Sequence, residues 1–236
     1  MTKPQQWSLS MDMHDAENEI FNQWKTRYNK SIIPDGIVHE PTYKAAKLKI
    51  LFLLKEVNDE NGEEWDLRDF LFNGGRAATW TPAAIWLKRI SNLPSKLPFE
   101  ESRKINPSQR TELLHTIACM NLKKYGSGAK TQKKELRIVA KANQDLLNKQ
   151  FELYSDLDYV ICGGPDIKHL AKELIVPIRN AGPWQRMKET TVEYLEFAPH
   201  KYAIAFWHPQ QRRYKSKEVY NWIVNTIAIL ETRKKN

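Results

Sequence analysis

The chain has 236 residues, enough for one large domain or two small ones with a substantial core. Its apolar fraction of 41% and charged fraction of 28% are typical of a folded soluble protein, and its two cysteines exclude a disulfide framework. Thirty-seven Lys and Arg residues against 28 Asp and Glu residues give a net charge of +9, which favours encounter with polyanions such as nucleic acids. A basic surface without any partner has the same composition, so charge alone does not decide between the two.

Four short apolar runs predict strands, because each is rich in branched or aromatic residues and is bounded by charge, Gly or Pro. In chain order they are residues 48–54, 116–122, 158–164 and 202–208. Their apolarity is continuous rather than alternating, which is typical of strands covered on both faces in a parallel sheet.

Helical patterns lie between and around these runs. They cover residues 15–28, 81–93, 132–154, 167–174 and 217–231, with caps predicted at Thr81, Asp166 and Ser216 and with Pro82 in the first helical turn. Residues 94–110 read as a loop insertion. The alternation of strands and helices predicts an α/β fold, a three-layer α/β/α sandwich around a central, mainly parallel four-stranded sheet. We expect a single domain over residues 1–236, with a helical extension at about residues 1–47.

The cysteines and the N-terminal segment bear on the cellular compartment. Cys119 and Cys162 each lie in an apolar run, which predicts buried thiols and excludes a four-cysteine zinc or iron–sulfur site. Residues 1–19 are polar and lack the apolar core of a signal peptide, and no segment approaches the ~20 apolar residues of a membrane span. We therefore expect a cytoplasmic protein without a membrane contact, and a monomer.

Polar residues follow each predicted strand, and ligands of open parallel sheets bind beyond the carboxyl ends of the strands. The first strand is followed by Glu56, Asn58 and Asp59, the second ends at Asn121, and the fourth ends at His208. Glycines follow the third strand. A carboxylate, an amide, glycines and an imidazole at one sheet edge predict a site for polar chemistry on an anionic polymer.

In this order, the four strand ends resemble the motifs of the uracil-DNA glycosylase superfamily. The matching stretches are LFLLKEVND, IACMNLKK, YVICGG and AFWHPQ, and the resemblance covers roughly residues 48–215. It implies an enzyme that hydrolyses the N-glycosidic bond of a base flipped out of DNA. It implies neither a cofactor nor a metal, and the six histidines show no metal-ligand spacing such as HExxH.

The motifs depart from the family pattern in ways that put uracil in doubt. Leu54 and Val57 stand where Gly and Pro are usual, and Glu56 falls where relatives have a catalytic Asp or Asn. Asn58 stands where uracil-specific members have a Tyr that excludes bases with a 5-substituent, and Gln210 replaces the usual Ser after His-Pro.

The chemistry of base excision assigns a role to each residue at the strand ends. Breaking the bond builds positive charge on the sugar and negative charge on the base, so a carboxylate at Glu56 stabilises the sugar cation or orients water. Asn58 or Asp59 helps to hold that water, and Asn58 replaces Glu56 in this role if the register slips by two. His208 donates a hydrogen bond to the departing base.

Further residues are predicted to hold the base and the DNA. Asn121 would read the base edge, since an amide offers a donor and an acceptor, and an aromatic platform would come from Phe72, Phe70 or Trp65. The candidate DNA contacts are Lys55, Lys123, Lys124, Ser127 and Lys130 for phosphates, with Gly126 and Gly128 beside them, and the loop Gln211, Arg212, Arg213 and Tyr214 for entering the duplex.

Replacing a Tyr by Asn58 widens the predicted pocket, which is consistent with the antiviral branch of the superfamily that removes glucosylated hydroxymethylcytosine from phage DNA. Excision of uracil in DNA repair, hydrolysis of free nucleosides or nucleotides, and DNA binding without catalysis remain as alternatives. The sequence does not decide between repair and defence, or between single and double strands.

Overall fold

The computed structural model describes residues 12–59, 65–126 and 132–234, which fold as an α/β protein with one mixed sheet. The helices in this part of the chain are α1 (Met13–Tyr28), α2 (Glu40–Ala45), α3 (Leu67–Phe72), α4 (Ala77–Ser91), α5 (Phe99–Ser102), α6 (Pro107–Leu114), α7 (Lys133–Ala142), α8 (Gln144–Leu153), α9 (Ile167–Leu174), α10 (Val176–Asn180) and α11 (Ser216–Arg233). The strands are β1 (Gly36–Ile37), β2 (Ile50–Leu54), β3 (Ile117–Asn121), β4 (Tyr159–Gly163), β5 (Gln185–Arg186), β6 (Glu193–Ala198) and β7 (Lys201–Phe206).

The four predicted strands correspond to β2, β3, β4 and β7 and are neighbours in the sheet. The strand order is β1-β3-β2-β4-β7-β6-β5. Strand β2 pairs in parallel with β3 and β4, and β4 pairs in parallel with β7. The carboxyl ends of these strands therefore meet at one edge of the sheet.

The sheet is larger than the predicted four strands, because β1, β6 and β5 add antiparallel pairs and bring the described total to seven. Strands β1 and β5 have only two residues each, too few to leave a periodic pattern. Strand β6, with the sequence EYLEFA, carries two glutamates and is partly exposed, so it lacks the continuous apolarity that marked the others.

Each face of the parallel strands contributes to a separate apolar cluster. Phe52 and Ile161 belong to a cluster that includes residues of α4 and α11, such as Trp86 and Ile227. The residues that alternate with them on each strand, such as Leu53 and Cys162, belong to the other cluster. This second cluster includes residues of α1, α7, α8, α9 and α10. Continuous apolar strands thus arise because both faces are covered.

Helix α4 begins earlier than its sequence predicts. The expected cap at Thr81 is wrong, because the helix starts at Ala77 and contains Pro82 in its interior. Proline removes one backbone hydrogen bond there, which would run to the carbonyl of Ala78. Alanines favour helix, and Trp80 is buried in the core, so the additional turn is stabilised by packing.

Other boundaries differ for local reasons. Residues 132–154 form two helices rather than one, and the break falls at Asn143, whose side-chain amide donates to the carbonyl of Val139 and to the Tyr28 hydroxyl. The expected loop at 94–110 contains α5 and the start of α6. Asp166 occupies the predicted N-cap position of α9, whereas Ser216 is the first residue of α11 and Lys215 precedes it.

The N-terminal region is helical in part and is fastened to the sheet by a buried polar network. Its centre is Glu17 of α1, which accepts hydrogen bonds from the backbone of Ile37 (2.9 Å), the Tyr154 hydroxyl (2.8 Å) and Arg68 (2.9 Å). Burial raises the pKa of Glu17 to about 7, against the opposing effect of the Arg68 guanidinium. The extension is therefore an integral part of the fold. Among the described helices, none combines the length and apolarity of a membrane span.

Candidate active site

The strand register places the residues after β2 and β7 equally far beyond the carboxyl ends of the parallel strands. Leu54 lies level with Asn121 on β3, and Gly163 on β4 pairs with Phe206 on β7. Since Leu53 pairs with Cys162, Leu54 is also level with Gly163. Glu56 and His208 each follow two residues beyond this level. One strand, β4, lies between β2 and β7, so these two strands are about 10 Å apart at a strand spacing of about 4.8 Å.

Two glycines end the intervening strand β4, and side chains of the neighbouring segments pack directly against their backbone. A Cβ atom on Gly163 would lie 2.5 Å from Cδ2 of Leu54 and 3.9 Å from the Cα of His208. Gly164 has φ of +141°, a conformation that disfavours other residues, and its N–H donates to the carbonyl of Phe206 at 2.8 Å. The glycines therefore let the segments that carry Glu56 and His208 approach β4 closely, with the side chains of Leu54 and Lys55 packed against Gly163 and Gly164.

Glu56 is held by a buried cation. Its side chain is 3% exposed, and the Lys123 ammonium lies 3.0 Å from a carboxylate oxygen. Lys123 also contacts Glu135 at 2.9 Å and lies over the ring of Tyr125. This pairing fixes the orientation of the Glu56 carboxylate.

The loops after β2 and β3 are in close contact, which requires a glycine. A Cβ atom on Gly126 would lie 2.3 Å from the backbone oxygen of Asp59. Asp59 is half-buried here, while Asn58 is exposed at the tip of the same loop. Both predicted water-holding residues are therefore on the loop that carries Glu56.

His208 is the first residue of a tight turn that follows β7, and this turn contains the His-Pro pair. The N–H of Gln211 donates to the carbonyl of His208 at 2.9 Å, and Pro209 occupies the second position, where its fixed φ favours a turn. The N–H of Gln210 donates to Nδ1 of His208 at 3.1 Å. A neutral imidazole that accepts at Nδ1 carries its proton on Nε2, so Nε2 is a hydrogen-bond donor.

The surroundings of His208 keep the ring neutral. Burial, and to a smaller extent the positive charge of Lys55, lowers the pKa of His208 from 6.5 to about 4. The Lys55 ammonium lies 3.6 Å from Asp166, and its Cε would be 3.5 Å from a Cβ on Gly164. Lys55 therefore places one cation beside Gly164, where Asp166 is its counter-ion, and its contact with phosphate stays a prediction.

Asn121 is positioned by an acid that the sequence did not single out. Its backbone N–H donates to Asp35 at 2.7 Å, and Asp35 also accepts from Lys124 at 2.6 Å and Gln150 at 2.9 Å. Asn121 is 2% exposed and lies at the end of β3 beside the loop of Glu56. Asp35 precedes a two-residue strand, so no local pattern marked it.

The aromatic candidates lie in different places. Phe72 stacks on His115 with ring centres 4.4 Å apart, and His115 precedes β3, so Phe72 is at the amino end of that strand. It cannot serve as a platform for a base at the carboxyl ends, and this prediction is corrected: α3 carries Phe72 away from that edge. Phe70 is partly exposed and contacts Trp65 edge-on at 5.5 Å, so these two rings remain as candidates.

Two predicted phosphate contacts are also corrected. Lys123 and Lys124 are 1% exposed, since their ammonium groups are paired with buried acids, Glu56 and Asp35 respectively. Because the charge of each ammonium is already paired with a buried acid, neither lysine is available to a phosphate. Ser127 and Lys130, together with Gly128, lie outside the described residues.

The loop after His208 presents two arginines. Gln211 is half-buried and makes two hydrogen bonds with the backbone of Tyr214. Its Nε2 donates to the Tyr214 carbonyl, and its Oε1 accepts from the Tyr214 N–H, at 3.0 Å each. Tyr214 packs against Trp207 and Trp222. Gln211 thus braces the loop, and the exposed residues available to a partner are Arg212 and Arg213.

The chain was compared with known protein families and with characterised proteins, and it matches neither a family nor an individual protein sequence. Within the described ranges, no cluster of three or more His, Cys, Asp or Glu side chains has a geometry that could hold a metal ion. Cys119 and Cys162 are both buried and unbonded, as predicted, and burial raises the pKa of the Cys162 thiol to about 12. The geometry of the strand ends therefore carries the functional argument.

Proposed function

We propose that this protein is a DNA glycosylase that hydrolyses the N-glycosidic bond of a flipped pyrimidine and leaves an abasic site. The observation that supports this most is the strand register, which brings Glu56 and His208 to the same edge of the sheet on either side of the glycines that end β4. The proposal includes a three-layer α/β/α arrangement, which fits the apolar clusters on both faces of the sheet.

The chemistry follows from the two flanking groups. As the bond between C1′ and the base nitrogen breaks, its electron pair leaves with the base, and the sugar becomes cationic. The Glu56 carboxylate stabilises that cation and takes a proton from the water that attacks C1′. Nε2–H of His208 donates a hydrogen bond to the base carbonyl, where negative charge develops. The released base anion takes up a proton from solvent, and Glu56 returns to solvent the proton that it took from water.

A neutral His208 suits this role. A neutral ring with its proton on Nε2 stabilises the anion by hydrogen-bond donation alone, without the cost of burying a second positive charge near Lys55. Burial and Lys55 favour the neutral form.

We propose a pyrimidine enlarged at position 5 as the base, with glucosylated hydroxymethylcytosine of phage DNA as the leading candidate. Asn58 is exposed at the tip of the loop that carries Glu56, so it leaves more room there than the Tyr of uracil-specific relatives. The basic net charge of +9 is consistent with a DNA substrate. Such an activity would serve antiviral defence rather than repair.

Mass spectrometry of released bases tests the proposal. Purified protein is incubated with duplexes that contain uracil, hydroxymethylcytosine or its glucosylated form, with free nucleosides as a further arm. We expect release from the glucosylated duplex and an abasic site in the DNA. Release from uracil alone contradicts the modified-base assignment, release from nucleosides alone indicates a nucleoside hydrolase, and binding without release indicates a non-catalytic protein.

Matched variants test the two flanking residues. Glu56→Gln and His208→Ala are each expected to lower the rate by about 10²–10⁴-fold. Glu152→Gln and His169→Ala change exposed residues outside the strand ends and should leave the rate unchanged. Circular dichroism confirms folding, and full activity of folded Glu56→Gln would overturn the assignment.

A further inference from the structure

A cavity lies away from the candidate active site. Its volume is about 520 Å³, and it lies between the end of α4, the segment 93–99 and the part of α11 from Tyr220 to Thr232. Leu93, Leu97, Phe99, Val224 and Ala228 form its apolar wall. A cavity of this size accommodates a small organic molecule.

Arg89 lines this cavity without a counter-ion among the residues that the structure describes. Arg89 is 7% exposed, and its Nη1 atom is buried without a hydrogen-bond partner among the described residues. Among the described residues, no carboxylate forms an ion pair with this guanidinium. By contrast, the other arginine that is buried to the same degree, Arg68, contacts Glu17 and Asp66.

A buried guanidinium nitrogen without a hydrogen-bond partner is costly, because it loses hydration without compensation. The remaining charges around the cavity do not offset it. Lys47 and Lys96 add positive charge, and the acid in the lining, Glu231, is already bound to the Tyr159 hydroxyl (2.6 Å) and to Lys234 (2.7 Å). The lining therefore has an excess of positive charge around a mainly apolar hollow.

We propose that this cavity is a binding site for a small organic anion whose phosphate or carboxylate group pairs with Arg89 and whose apolar body fills the hollow. Phosphate and carboxylate oxygens match the planar guanidinium, and both chemistries satisfy its donors. The apolar wall favours a ligand with an aromatic or aliphatic body over a bare inorganic ion.

The site is separate from the strand ends. The first turn of α11 follows the loop of His208, whereas the cavity is lined by Tyr220 and later residues, up to Thr232. Tyr220 holds the cavity wall, since its hydroxyl contacts Ser102 at 2.7 Å and the carbonyl of Leu97 at 2.5 Å. Binding here does not depend on the proposed glycosylase activity.

Calorimetric titration of the full chain tests the proposal. The probes are phenyl phosphate, benzoate, inorganic phosphate and phenol, at one ionic strength set with sodium chloride. We expect phenyl phosphate or benzoate to bind more tightly than inorganic phosphate, and phenol not to bind. Stronger binding of phenyl phosphate assigns a phosphate ligand, and stronger binding of benzoate assigns a carboxylate ligand.

Variants separate a ligand-binding arginine from a structural one. Arg89→Met should weaken the preferred anion at least about tenfold, because it removes the charge-assisted hydrogen bonds. The melting temperature of ligand-free Arg89→Met should equal or exceed that of the wild type, since a buried unpaired charge is replaced by an apolar side chain. Arg186→Gln, an exposed change on β5, should bind as the wild type does.

Two results would overturn the site. One is equal affinity of wild type and Arg89→Met for the preferred anion. The other is absence of binding by every anionic probe, and a lower melting temperature of Arg89→Met would then assign Arg89 a structural role only.

Discussion

At the scale of the residue, the chemistry of the candidate site depends on the protonation of His208. The backbone N–H of Gln210 selects the tautomer, and burial with the charge of Lys55 selects the neutral state. A ring with these constraints is a donor over the whole physiological pH range, because its pKa is about 4.

We expect this protonation to appear in the pH dependence. Above pH 4 the ring is neutral, so activity that requires neutral His208 should persist well below pH 6.5, the ordinary pKa of histidine. Lys55→Met removes a positive charge and should raise the pKa of His208. Titration of the His208 ring by NMR measures both values.

The same shift predicts a contribution to stability. The pKa of the folded state lies below that of the unfolded chain, so the unfolded chain binds more protons between these values. The contribution of neutral His208 to the free energy of unfolding is complete above pH 6.5 and is lost as the pH falls towards 4. An NMR value near 6.5 for the wild type would contradict both arguments.

At the scale of the element, the site is built from loops that touch at backbone level. The loop after β2 rests on the loop after β3, where Gly126 meets the backbone of Asp59. Any side chain at this position must push the Glu56 loop away from the sheet.

Gly126→Ala should therefore lower activity and stability together. An added Cβ would lie 2.3 Å from a backbone oxygen, which cannot rotate away. We expect a loss of about 1–3 kcal/mol in the free energy of unfolding and a rate lowered about tenfold to a hundredfold. Gly182→Ala is the control, since a Cβ there meets no described atom within 4 Å. Unchanged kinetics in Gly126→Ala would show that the contact does not position Glu56.

Helix α1 offers a second test at this scale. Removing Glu17 leaves Arg68, the Tyr154 hydroxyl and the Ile37 amide without their buried acceptor. At pH 8, Glu17→Ala should lower the free energy of unfolding by about 3 kcal/mol in urea titrations. Glu19→Ala, on the exposed side of the same helix, should change it by less than about 0.5 kcal/mol. Equal effects of the two variants would argue against a fastening role for the network.

At the scale of the whole molecule, the excess of positive charge predicts salt-sensitive binding to DNA. Binding should weaken steeply as salt rises, because phosphate contacts release counterions. Arg212 and Arg213 are the exposed basic residues nearest to His208 in the chain.

Changing Arg212 and Arg213 to Gln together should reduce the slope of log affinity against log salt by about 2. A fluorescence anisotropy titration with labelled duplex measures the slope. The control changes Arg103 and Lys104 to Gln, which removes the same charge from exposed side chains that pair with Glu100 and Glu101. An equal loss of slope in both variants would indicate general attraction rather than contact through the His208 loop.

The sequence predicted the four parallel strands well, because short continuous apolar runs bounded by charge, Gly or Pro are typical of buried strands. The ends of β2, β3, β4 and β7 fall within two residues of prediction, so the placement of Glu56, Asn121 and His208 at one sheet edge follows from topology. Short strands such as β1 carry too few residues for a signal.

Side-chain environments could not be predicted in the same way. The burial of Lys123 depends on Glu56 and Glu135, which come together only when the loops fold. The position of Phe72 depends on the direction of α3 relative to the sheet, and a local pattern does not contain that direction. The cavity at Arg89 joins segments from distant parts of the chain and left no motif.

The described sheet ends on both sides in strands of two residues, β1 and β5. Unpaired backbone groups on an outer strand are a template for another chain, and their number grows with strand length. The parallel strands at the centre of this sheet lie between outer strands so short that a second chain would find few amides and carbonyls to bind there. The rows of apolar side chains on β2 and β4 are thereby kept from the extended pairing that leads to aggregation.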